Sequence, residues 1–174
     1  MRPNPGEVLH FSEDPSIRRF APHVAPTSAE RDPYVWAVDA QHSPSYWFPR
    51  QCPRAMAWVG PSTTNDDRAR ILGPGAHRVH VIEFGWLPAM MSVSLYAYRL
   101  PASAFTYLRD VALVATTEVE PLGPAELVGD LLTLHDQARI QLRLVDNLHL
   151  WWDEVITSTV QFSGIRLRNA RPRL

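Results

Sequence analysis

His77-Arg78-Val79-His80-Val81-Ile82-Glu83-Phe84 decides how this chain folds. Val79 and Val81 alternate with His80 and Ile82, the period of two that a β-strand imposes on its faces, and Glu83 falls on the valine side. The next apolar runs, 93–100 and 111–117, read as strands too. Between them, 86–91 and 101–108 have room only for short connecting helices. Working back towards the N-terminus, 7–11 is a strand stopped near Asp14-Pro15, Ile17 and Phe20 anchor one helical turn, and 22–33 is loop. Residues 34–38, aromatic and β-branched, suit a buried strand. Residues 43–49 read as a short helix with Ser43 as cap and Pro44 at its first position. A further apolar strand, 54–59, precedes a polar loop over 60–75, the segment expected to move most.

Working forward, Pro124 opens a longer helix in which Leu127, Val128, Leu131, Leu134 and Ala138 keep helical spacing. Residues 140–144 alternate again, as a strand with one wet face. Asp146 or Asn147 caps a final helix to about residue 160, burying Leu148, Trp151, Trp152, Val155 and Ile156. Gly164 ends that run, and 165–174 is a basic tail. The pattern has no regular strand–helix–strand alternation, so it predicts an α+β fold of mixed or antiparallel strands with short connecting helices and a C-terminal helix. A chain of 174 residues suffices for one domain spanning 1–174.

The formal net charge of −1 supplies no overall attraction to nucleic acid or to an anionic membrane. All 17 basic residues are arginine, which excludes Schiff-base chemistry on lysine. The single cysteine, Cys52, allows no intramolecular disulfide. It lacks the downstream arginine of a phosphatase loop, since Trp58 stands six residues on, and a buried structural role is expected. The N-terminus has no apolar signal core, and no run approaches the roughly 18 apolar residues of a membrane helix. A soluble cytoplasmic protein is the expectation. His77, His80 and Glu83 do not share a strand face, so no metal is assigned.

The chemistry-bearing residues gather in the first sixty positions. His10 and Ser12 lie two apart on a strand and so on one face, where they suit hydrogen bonds to a ribose hydroxyl and an amide. Trp36, Tyr46 and Trp47 offer flat faces for a nucleobase or nicotinamide. Arg18, Arg19, Arg50 and Arg54 offer forked donors for phosphate. The tail, with Arg166, Arg168, Arg171 and Arg173, leaves nucleic acid as a weaker alternative partner.

On His10-Phe11-Ser12, Trp36-Ala37 and Tyr46, nine residues after Ala37, the region 8–58 resembles the ADP-ribosyltransferase superfamily of the His-Tyr-Glu kind. That resemblance implies a split-sheet fold with NAD as substrate, bound by His10, Ser12, Trp36, Tyr46 and Arg50. It further implies that His10 contacts the ribose, that Tyr46 stacks on nicotinamide, and that Glu118 or Glu120 aligns an unknown acceptor. Two departures stand out: Val35 where the family carries a second tyrosine, and Phe11 where glycine would admit the ligand closely. The whole chain also resembles a small family of uncharacterised bacterial proteins. A non-catalytic nucleotide- or anion-binding module and a partner-docking scaffold remain the alternatives to an enzyme.

Overall fold

A computed structural model of the chain describes residues 1–24, 31–108 and 112–173. In chain order the strands are β1 (Glu7–Ser12), β2 (Val35–Ala37), β3 (Arg54–Trp58), β4 (Arg78–Glu83) and β5 (Tyr96–Pro101). They continue with β6 (Thr106–Leu108), β7 (Ala112–Ala115), β8 (Glu126–Leu127), β9 (Gln141–Val145) and β10 (Gln161–Ile165). The α-helices are α1 (Asn65–Asp67), α2 (Leu87–Ser92), α3 (Leu131–Gln137) and α4 (Leu148–Val155). The class is α+β, as the mixture of short strands and short helices predicts. The chain folds as two compact units, Met1–Arg50 with Ser94–Gly129, and Gln51–Val93 with Asp130–Leu174.

The first unit holds two antiparallel three-stranded sheets, ordered β1-β5-β8 and β2-β7-β6. Val8 of β1 faces the same way as Tyr98 and Leu100 of β5, and these pack with Val35, Ala37, Leu113 and Ala115 of the other sheet. Phe20 and Val119 complete that core and join through paired backbone bonds of 2.9 and 3.0 Å. That bridge replaces the helical turn expected around Ile17 and Phe20. The Tyr98 hydroxyl donates to the Asp14 carbonyl at 2.7 Å and accepts from the Ile17 N–H at 3.0 Å, so this backbone finds its partners outside a helix.

The second unit is a four-stranded sheet, β10-β3-β4-β9, with β4 and β9 parallel and the other neighbours antiparallel. Ala55, Ala57, Val79 and Val81 form one face of it, covered by Ile71, Leu72, Leu148 and Val155. Burial of Ile71 and Leu72 explains why 60–75 is not the polar loop expected. Thr64 caps α1, and the turn widens through Arg68–Leu72 to bring both side chains inward. The Asp67 carboxylate also holds Thr159 through its N–H and its hydroxyl, at 2.8 and 2.7 Å.

Three other elements differ from expectation for local reasons. The helix expected from Pro124 begins only after Gly129, whose φ of +89° breaks the spiral, and Asp130 caps it. Leu127, expected on that helix, lies exposed on β8. α4, capped by Asn147, stops at Val155, where the hydroxyls of Thr157 and Ser158 turn back onto helix carbonyls. Gly164, expected as a helix stop, instead lies in β10 opposite Ala55. The 43–49 segment is a 3₁₀ turn over Ser43–Tyr46; Ser43 is inside it, its hydroxyl donating to the Asp39 carbonyl at 2.6 Å. Residues 101–108 divide into the 3₁₀ turn Ala102–Ala104 and β6.

Glu83 fastens the second unit. Only 3% exposed at the end of β4, its carboxylate accepts the Leu148 N–H that opens α4 and the Arg171 N–H of the C-terminal segment, each at 3.1 Å. Glu83→Ala removes the acceptor from two backbone donors and is expected to cost about 2–4 kcal/mol of stability, read by urea denaturation. A loss below about 0.5 kcal/mol would mean that water replaces the carboxylate.

Candidate functional site

β1 carries His10 into the first unit on the same face as Val8, beside the apolar core. Its Nδ1 lies 2.8 Å from the carbonyl oxygen of Trp36. A carbonyl only accepts, so Nδ1 bears the proton and the neutral ring keeps Nε2 as an acceptor. The imidazole packs on Phe20, centroids 4.6 Å apart. Burial holds the His10 pKa below its ordinary value; the Trp36 bond opposes this, and the charges of Arg50 and His23 add to the lowering. Among the described residues, none bonds Nε2.

Tyr46 reaches β1 through Phe11 rather than through His10. The two rings lie 6.4 Å apart and nearly parallel, 6° between planes, and Tyr46 remains 37% exposed. Phe11 and His10 are consecutive on a strand and point to opposite faces. Phe11, where the resemblance implies glycine, thus fills the approach to the tyrosine. Two open hollows, of about 440 and 360 Å³, are lined by neither His10 nor Tyr46.

The other expected site residues have well-defined surroundings. Ser12 is buried and its hydroxyl accepts the Asp14 N–H at 3.1 Å, which forms the turn leaving β1. Trp36 is half-buried, edge-on to Tyr34 at 5.8 Å, and its indole N–H is buried without a partner among the described residues. Arg50 is exposed, and its N–H donates to Glu13 at 2.7 Å. Glu118 and Glu120 flank the buried Val119 and turn outward together, onto Arg19, at 3.2 and 3.4 Å. Arg19, expected as a phosphate fork, is therefore a carboxylate clamp. Arg54 is also withdrawn from phosphate: it is 3% exposed and donates to the Cys52 carbonyl at 3.0 Å. Trp47, expected as a stacking face, is core at 2% exposure. Cys52 is fully buried, and desolvation pushes its thiol up to about 12, far from a nucleophile.

The second unit contains a polar chain that the sequence did not suggest. The Arg78 Nε–H donates to His80 Nε2 at 2.8 Å, which leaves the proton of His80 on Nδ1. That N–H meets His135 Nε2 at 3.0 Å, and His135 Nδ1 lies 2.7 Å from the Leu131 carbonyl. Each nitrogen has one role, so both rings are neutral. Nothing local in the sequence links His80 to His135, 55 residues away. Among the described residues, no group of three His, Cys, Asp or Glu side chains could hold a metal ion. No helix of the described residues is long and apolar enough to cross a membrane.

Two small sheeted units, each with a histidine bonded to a backbone carbonyl, define an α+β protein. The chain belongs to a family of unknown function, DUF6886, which it matches over residues 9–170. No curated protein and no solved structure matches it.

The buried histidines set a pH dependence. Desolvation is the largest cause lowering His80, well below 6.5, and also His135; His135, Arg78 and Arg54 add repulsion at His80. The unfolded chain therefore binds protons below pH 6.5 that the folded chain refuses, and stability falls as pH drops through that point. Each histidine held neutral costs about 1.4 kcal/mol at a pH one unit below its unfolded value. Urea denaturation at pH 7.5 and 5.5 is expected to show this loss; equal stability at both would contradict neutral, buried rings.

Proposed function

We propose that the first unit binds NAD, as substrate, along the His10 edge of β1 and transfers ADP-ribose to an acceptor the residues do not identify. The observation that carries this reading is the bond from His10 Nδ1 to the Trp36 carbonyl, which presents Nε2 as an acceptor for a ribose hydroxyl. Arg50 supplies positive charge close enough to influence the ring and suits the pyrophosphate. Tyr46, 37% exposed beside Phe11, supplies the aromatic surface left for the nicotinamide, and the unpartnered indole N–H of Trp36 is a donor for a carbonyl or hydroxyl. In transfer, the nicotinamide–ribose bond would break before the acceptor bonds, and a carboxylate beside the ribose would stabilise its positive charge. Glu118 and Glu120 are the candidates. The lone free thiol, buried, accords with a cytoplasmic setting.

One observation favours the second reading, a nucleotide-binding module without catalysis: Arg19 occupies both carboxylates. The readings separate in two measurements. Calorimetry with NAD is expected to give saturable binding that His10→Ala and Tyr46→Ala each weaken at least about tenfold. Nicotinamide release is expected from the native chain, and Glu118→Gln or Glu120→Gln should slow it about a hundredfold while NAD still binds. Binding without release supports the module. No binding contradicts both readings.

A further inference from the structure

The second unit has a hollow of about 440 Å³ between α4 and the C-terminal segment, within the usual range for a small-molecule site. His149 and Trp152 of α4 form one side, and the other includes the guanidinium-bearing Arg168, Arg171 and Arg173. The site is built rather than incidental. Glu83 holds the N–H groups of both Leu148 and Arg171, and the Asn147 side chain donates to the Pro172 carbonyl at 2.9 Å. The C-terminal segment is thereby pinned across the start of α4. Gly164 lets the walls close: a Cβ there would lie 2.7 Å from Leu167 and 2.8 Å from Trp152.

The three arginines are not equivalent. Arg171 is paired with Asp146, and Arg173 with Asp153 at 2.5 Å, so their charges are cancelled while their positions are fixed. Arg168 is exposed and has no partner among the described residues, which leaves one uncancelled fork at the hollow. His149 adds a second unmet need, since its Nδ1 is buried without a partner among those residues. A fork of this kind matches a phosphoryl group, and a buried ring nitrogen matches a hydroxyl or phosphoryl oxygen. The rest of the lining includes Trp152, Leu167, Ala170 and Pro172, which suits carbon rather than water.

We propose that this hollow binds a small organic phosphate, its phosphoryl oxygens on Arg168 and its carbon portion along Trp152, Leu167 and Pro172. A long polyanion fits less well, because Asp146 and Asp153 already take Arg171 and Arg173 and leave a phosphate backbone only Arg168 of these three. The site lies wholly in the second unit and does not depend on the NAD reading of the first.

The test is calorimetric titration of the full chain with phenyl phosphate, with inorganic phosphate, and with a single-stranded oligonucleotide. Phenyl phosphate is expected to saturate one site in the millimolar range or tighter, more tightly than inorganic phosphate. Arg168→Ala should weaken it about tenfold or more, and Arg168→Lys, which keeps charge but not the fork, should restore only part. Arg168 is exposed, so circular dichroism of both variants should match the native chain. Unchanged affinity in Arg168→Ala, no saturation by about 10 mM, or inorganic phosphate binding as tightly as the phenyl ester would overturn the proposal. Displacement of phenyl phosphate by the oligonucleotide, with affinity falling steeply in salt, would instead make the tail a nucleic-acid contact.

Discussion

The hydrogen bond from His10 to the Trp36 carbonyl is the constraint on which the first unit's chemistry depends. It joins β1 of one sheet to β2 of the other, one residue from the Leu9–Val38 backbone bridge. A histidine facing an apolar core must be neutral and bonded, because a charged, unpartnered ring costs several kcal/mol on burial. The carbonyl meets that need at Nδ1 and leaves Nε2 for chemistry. Without this bond, the ring would have neither a fixed tautomer nor a fixed direction.

The same rule shapes the second unit with different partners. His80 and His135 satisfy one another and end on the Leu131 carbonyl, while Glu83 satisfies two backbone donors at once. These buried groups do mechanical work: one holds α3 to β4, the other holds α4 and the C-terminal segment to the end of β4. The hollow at Arg168 lies between α4 and the segment that the second fastening pins.

Strand periodicity was legible because it is local. The alternation at Val79 and Val81 and the aromatic run at Trp36 each match a strand to within a residue, and Pro44 lies in a helical turn that ends three residues earlier than expected. Illegible were features set by distant partners. Thr157 and Ser158 shorten α4, Ile71 and Leu72 draw a polar-looking stretch inward, and Gly129 interrupts an apolar spacing that reads as helical. In the candidate site, the sequence shows the residue types of His10 and Tyr46 and their spacing, but not how the two rings stand to each other. Phe11 stands between β1 and the tyrosine, and an arginine one residue from Phe20 takes the two glutamates. Side-chain pairing across about a hundred residues leaves no periodic trace.

The most direct measurement is the ring nitrogen spectrum of His10 by long-range ¹H–¹⁵N correlation, assigned with His10→Ala. The expected result is a neutral ring protonated at Nδ1 that titrates below its ordinary value of 6.5. An Nε2–H tautomer, which could not donate to Trp36, or an imidazolium already present at pH 7, which would offer a ribose no acceptor, would contradict it.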